Sequence, residues 1–351
     1  MAATKSDSPT EAAAPSLVRP DGRIRFGQFA DAVPHIDLSG YRHRTVRGGR
    51  AGAFARWFGL KQFEYFGVLS EQLLFGCAIA HLRLATVVFL YVYIPGRGML
   101  VEKTLRYPLI LWRSRSRSPV SGTSHAGRRP TVTMHYADHP RRKGISVDLG
   151  DTLQVSAEFD EQAADFQPMS LCTRIGRNGW VYAHKVAGVP VTGQLQLGDE
   201  RFDLSALDAH AHHDFSVGYM RRETFWNWAC FSGRSADGTP IGLNVSCGVN
   251  ETSFSENCYW LRGQLHRLGL CHFEYDWDLP MLPWQISSDD GRLDLTFEPE
   301  GQHSEKMNML LVASDFKQIF GRFNGRILHE DGSEIRISNL YGFVEDQYAK
   351  W

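Results

Sequence analysis

The sequence predicts an all-β protein built from antiparallel sheets, and three observations carry that expectation. Strand-length apolar runs recur from Phe63 to the C-terminus, Asn-Gly and Asp-Gly pairs separate several of them, and long amphipathic helical periods are scarce. Composition agrees: 21 Phe, 12 Tyr and 9 Trp together with 33 Gly favour strands and turns over a helical bundle. The 351 residues, 43% of them apolar, are enough for two domains with a core each. Lys and Arg (38) balance Asp and Glu (39) to a net charge of -1, so no global field attracts nucleic acid, and none is expected as a partner.

The first nineteen residues read as a disordered tail. MAATKSDSPTEAAAPS mixes Ala with Ser, Pro and charge and has no apolar stretch of the kind an export signal needs, which points to a cytoplasmic protein. From Gly67 to Ile94 comes the one region that resembles a membrane span. Ser70-Glu71-Gln72 and His81-Leu82-Arg83 cut it into pieces well short of the ~20 continuous residues a span requires, so it reads as consecutive strands and no integral span is expected. Ala85 to Tyr93 is apolar at both parities, so both of its faces should be covered, one by a barrel interior and one by a neighbouring domain.

Further strands are expected at Thr131–Tyr136, Ile145–Leu149, Leu153–Phe159, Val191–Leu197, Phe225–Ser232, Ile241–Cys247, Gly269–Tyr275, Arg292–Glu298, Met307–Val312, Asn324–His329 and Ser333–Ser338. Asn178-Gly179, Asp237-Gly238, Asp290-Gly291 and Asp331-Gly332 tolerate positive φ and fit tight hairpins. Many short strands at this spacing make a sandwich or a barrel. The exception is Ser314–Phe320, where Ser314 or Asp315 is expected to cap a short helix. The Arg/Ser-rich stretch Trp112–Pro130 reads as an exposed loop, and Leu207–Asp214 (LDAHAHHD) as the connection between two domains, 20–213 and 214–351.

There is no G-x-S-x-G elbow, P-loop, dinucleotide fingerprint, H-E-x-x-H or paired-Cys zinc spacing, so no cofactor is expected. The six cysteines, without C-x-x-C or a signal peptide, read as reduced thiols. His210, His212 and Asp214 share a face if extended, but adjacent positions on one short strand wrap a metal poorly, and the His210–His213 cluster reads as a polar connection without a metal.

The densest constellation runs from Asp214 to Asn257. Trp226 and Trp228 face one way on a strand and Asn227 the other, and the returning strand after Asp237-Gly238 carries Asn244 opposite them. Glu251, Glu256 and Asn257 follow, and acids there serve proton transfer if burial raises a pKa. The alternative is structural: Asn227 and Asn244 satisfy buried backbone while the Trp pair packs between domains.

Four segments carry a resemblance: Tyr182–Gly193 (YAHKVAGVPVTG), Asp214–Trp228, Glu256-Asn257 and the closing FGRFNGRILHEDGSEIRISNLYGFVEDQYAKW. They resemble, over roughly Trp57 to Trp351, an uncharacterised bacterial family known as domain of unknown function 2804. That family is distantly similar to tandem lipocalin-like proteins, among them carotenoid hydratases and fungal cyclases that catalyse Diels–Alder reactions. The resemblance implies two tandem lipocalin-like antiparallel β-barrels that take an apolar molecule in or between them. Lys185, Asp214, Trp226, Asn227, Glu256, Asn257 and Glu345 match the family pattern.

Two functions from different classes follow. One is a carrier for a hydrophobic small molecule, lipid-like or isoprenoid-like, with Lys185, Trp226, Asn227, Trp228, Asn244 and Asn257 around it. The other is a cofactor-independent hydratase, isomerase or cyclase acting on such a molecule, with Asp214 or Glu256 as the acid and Asn227 orienting the substrate. An interaction protein with filled barrels is the third possibility. Where the acids sit relative to the cavities separates them. Oligomeric state is not legible.

Overall fold

The computed structural model describes residues 16–108, 113–138, 140–161, 166–249, 252–309 and 312–350. Among the described residues strand accounts for 64% and helix for 2%, as the hairpin signals and missing helical periods require. Two antiparallel sheets curl into half-barrels, the tandem lipocalin-like arrangement.

The first sheet runs from edge to edge through Gly98–Pro108, Ala85–Ile94, Leu74–His81, Leu60–Leu69, His210–Tyr219, Gly179–Leu197, Leu153–Asp160, Arg141–Asp148, Thr131–Asp138, Gly122–Gly127 and Arg113–Ser114. The second runs through Gln264–Arg267, Cys258–Leu261, Pro240–Cys247, Glu223–Arg234, Glu334–Lys350, Val312–Leu328, Leu293–Met309, Trp284–Ser288 and Cys271–Glu274. Asn178-Gly179, Asp237-Gly238, Asp290-Gly291 and Asp331-Gly332 all lie where antiparallel partners turn back on each other.

The apolar region Gly67–Ile94 falls in three adjacent strands. Both faces of Ala85–Ile94 are covered. Val88, Leu90 and Val92 are buried on one side, while on the other Phe89 packs on Phe316 at 5.2 Å and Tyr91 and Tyr93 pack on Phe320 at 4.8 and 5.1 Å, all across the junction with the second sheet. No helix of the described residues is long and apolar enough to cross a membrane. The sheets meet most closely at Gly188, which has φ +81°: a Cβ there would stand 2.9 Å from the backbone of Ile241, and one on Gly242 would stand 2.2 Å from Ala187. Only glycine lets these two backbones touch.

Four expectations are corrected. Ser314–Phe320 is no helix but part of the strand Val312–Leu328, paired on both sides. Phe316, Gln318 and Phe320 alternate onto one buried face, and that period of two outweighs a cap signal. The stretch 113–130 is no exposed loop, because it forms the last two strands of the first sheet and buries Ser116, Ser118 and Val120. Ser116 and Ser124 hydroxyls satisfy backbone and carboxylate there, which is how so polar a segment tolerates burial. Trp112 and Glu251 lie outside the described residues. Of the expected tail, residues 1–15 also lie outside them, but Leu17 is 1% exposed and packs into the first unit's core.

The fourth correction concerns the domain boundary. His210–Tyr219 is not a connection: it is a strand in the middle of the first sheet, paired with Gly179–Leu197 on one side and Leu60–Leu69 on the other. A boundary at 213/214 would split it. The chain passes to the second sheet between Tyr219 and Glu223.

Candidate active site at the sheet junction

Alternation decides what each strand sends to the junction. On His210–Tyr219 the even positions His212, Asp214 and Ser216 face the second sheet, and the neighbouring strands put Lys185 and Tyr65 beside Asp214. From the second sheet Trp226 and Trp228 point back, and Glu345 stands in register opposite Trp228. Glu256 arrives from the segment between Pro240–Cys247 and Cys258–Leu261.

Lys185 ties these groups together. Its Nζ lies 2.6 Å from Glu256 Oε1 and 3.2 Å from Asp214 Oδ2, and 4.5 Å over the Trp228 ring. Burial works against its charge, but the two carboxylates outweigh burial and hold its pKa above the ordinary value, so it stays an ammonium. Ser216 Oγ donates to Asp214 Oδ1 at 2.7 Å and Ser246 Oγ to Glu256 Oε1 at 3.0 Å. Burial, reinforced by Glu256, raises the Asp214 pKa against the opposing pull of Lys185.

A second acid stands close enough to feel Lys185 and Asp214. Glu345 accepts from Trp226 Nε1 at 2.9 Å on one oxygen and from Gln318 Nε2 at 2.8 Å on the other. Gln318 in turn reaches Tyr65, whose hydroxyl is 2.7 Å from that of Tyr91. Burial pushes the Glu345 pKa up to about 8, more than its hydrogen bonds and Lys185 recover.

The expected site residues therefore divide. Asp214, Lys185, Glu256, Trp226 and Trp228 converge. Asn244 and Asn257 are structural: Asn244 accepts from Trp228 Nε1 at 2.7 Å and donates to the Glu256 carbonyl, and Asn257 bridges Ser246 N and the Gly269 carbonyl. These bonds hold the backbone at Glu256 and Asn257 in place. Asn227 turns to the other face of its strand and donates to Tyr275, so it does not share the site with the two indoles. Glu345 matched the family pattern without a role, and Gln318, Ser216 and Ser246 carried no sequence signal, because their neighbours are set by pairing between distant strands.

The His210–His213 cluster splits as well. His212 lies at the junction between Tyr65 and Phe343, whereas His213 points into the first barrel against Phe66 and Tyr136. Among the described residues no three His, Cys, Asp or Glu form a group able to hold a metal. A groove of about 560 Å³, lined by Lys103, Leu105, Arg129, Pro130 and the turn 148–152, contains none of the site residues.

The model of a family described as "Domain of unknown function (DUF2804)" matches residues 9–351. No curated protein matches the sequence. In fold the chain is similar to the crystal structure of CghA, with 11% identity, a TM-score of 0.54, and coverage of 82% of this chain and 87% of that one. It is similarly related to CghA with Sch210972, at 10% identity and TM-score 0.55, covering 83% and 88%. Kievitone hydratase from Nectria haematococca gives 10% identity and TM-score 0.48, covering 82% and 89%.

Proposed function

This chain belongs to the DUF2804 family, and from that footing we propose that it binds an apolar small molecule between its two sheets and acts on it by acid–base chemistry without a cofactor. The reading rests on one observation: Asp214, its pKa raised, is paired with Lys185 at a sheet junction walled by Trp226 and Trp228. A carrier needs only apolar wall. A buried, ion-paired carboxyl with a shifted pKa costs stability and is characteristic of groups that exchange protons. The similarity in fold to CghA, whose structure is recorded with Sch210972, supports this reading.

On this reading Trp226 and Trp228 supply the apolar and π contact, Lys185 favours the anionic form of Asp214, and Asp214 is the proton acceptor, with Glu256 holding Lys185 in place. Lipid-like and isoprenoid-like molecules suit such walls. Binding without turnover is the second reading, favoured by the closed hydrogen bonding around Glu256. The test is to identify by mass spectrometry the apolar molecules that co-purify from the native host, then to compare Trp226→Ala with Asp214→Asn. Weakened binding in the first and lost turnover with retained binding in the second support an enzyme. Binding without any turnover in the wild type leaves the carrier, and unchanged turnover in folded Asp214→Asn removes Asp214 from the reaction.

A further inference from the structure

Asp214 and Glu345 approach one another from opposite sheets. Asp214 is ion-paired with the buried Lys185, yet 19% of its side-chain surface is accessible. Glu345 is 4% exposed, and Trp226, which holds one of its oxygens, is only partly buried. The environments of the two acids differ in kind. Asp214 has an ammonium at 3.2 Å and a hydroxyl donor, which favour the anion. Glu345 has only neutral donors, an indole and an amide. Gln318 Oε1 is buried without a hydrogen-bond partner among the described residues; with its amide turned over, that oxygen stands where it accepts a hydrogen bond from the protonated Glu345 carboxyl.

We propose that Glu345 is the proton donor and Asp214 the proton acceptor of one site between the sheets, acting on an apolar molecule with a carbon–carbon double bond. This rests on the function proposed above and names its reaction as an isomerisation. The Glu345 O–H bond breaks and the π pair of the double bond takes the proton to form a C–H bond. A C–H bond on the adjacent carbon breaks, its pair forms the shifted double bond, and its proton passes to the Asp214 carboxylate. Asp214 then loses a proton to water and Glu345 regains one. The substrate keeps its formula, and no oxidant or reductant takes part. The elevated pKa of Glu345 agrees with its role, since an acid of that strength is mostly protonated near neutral pH.

The experiment needs no knowledge of the substrate. Phenyldiazomethane, a neutral apolar reagent, esterifies a protonated carboxyl: the acid proton moves to the diazo carbon, N2 leaves, and the carboxylate oxygen bonds to that carbon. Treated at about pH 7, the intact protein is expected to carry a benzyl ester at Glu345, roughly several hundredfold more than at exposed carboxyls, from the difference in protonated fraction. A charged, water-soluble diazo reagent is expected to leave Glu345 unmodified. Peptide mapping reads both, and E345Q verifies the assignment. Ester on Asp214 in place of Glu345 overturns the roles, no ester on either overturns the accessible acid, and equal labelling by the charged reagent overturns the apolar ligand class. If Glu345 is esterified but no apolar molecule co-purifies, the wider function is what fails; if one co-purifies and Glu345 stays unmodified, this assignment alone fails.

Discussion

Trp226 Nε1 donates to Glu345 Oε2 across a diagonal, since the strand register sets Trp226 opposite Gln347 and Glu345 opposite Trp228. That bond favours the carboxylate and opposes the burial that raises its pKa. Trp226→Phe keeps a ring but loses the donor. A hydrogen bond to a charged group is worth about 1.5–3 kcal/mol, so the Glu345 pKa should climb by roughly one to two units above about 8. Infrared titration of the protonated carboxyl band, assigned by its loss in Glu345→Gln, measures the shift, and an unmoved midpoint refutes it.

The same acid sets a pH limit on stability. With a folded pKa of about 8, above its unfolded value, Glu345 contributes stability that is complete below ~4.5 and lost as pH rises toward 8. His212 has the opposite sign: burial depresses its pKa to about 3, so its contribution is present above ~6.5 and lost as pH falls toward 3. Above ~6.5 only the Glu345 effect remains of these two. Urea midpoints should fall between about pH 6.5 and 8.5 in the wild type, and the slope should flatten in Glu345→Gln.

Lys185→Met should destabilise strongly. It leaves Asp214 and Glu256 as neighbouring buried carboxyls without their cation, a loss on the order of 3–5 kcal/mol. Adding Glu256→Gln to that variant should recover a large part of it, because one of the two orphaned charges is gone. Equal melting of the single and double variants would falsify the coupling.

Gly67→Ala tests the packing under the site. A Cβ at Gly67 would stand 2.0 Å from His212 Nε2, and His212 is held among Tyr65, Trp228 and Phe343. The expected cost is about 1–3 kcal/mol. In a His212→Ala background the same change should cost much less, and thermal denaturation of the four proteins in the cycle reads the difference.

The strands of the first sheet were legible where short apolar runs were bounded by polar breaks, as at Leu74–His81 and Ala85–Ile94. The three 17-residue strands that close the molecule were legible only in pieces, such as Arg292–Glu298 and Asn324–His329. Their polar ends are stabilised by pairing with each other rather than by local pattern, as Lys306–Asp315 illustrates. Asp214, Glu256 and Trp226 stood out because acids and indoles are conspicuous in a strand. Glu345 gave less away: its meaning depends on Trp226 and Gln318, which are neighbours in the sheet but 119 and 27 positions away along the chain.

The three-residue passage from Tyr219 to Glu223 has a consequence for how the protein comes apart. Asp214 and Lys185 belong to the first half, Glu256 and Glu345 to the second. Cut at 220–222, each fragment would keep whole strands but only half of the charge set, with Lys185 severed from Glu256. Neither fragment is then a smaller version of the whole. The halves behave like the two keys of one lock, and the Lys185–Glu256 pair re-forms only when both fragments are mixed and reassociate.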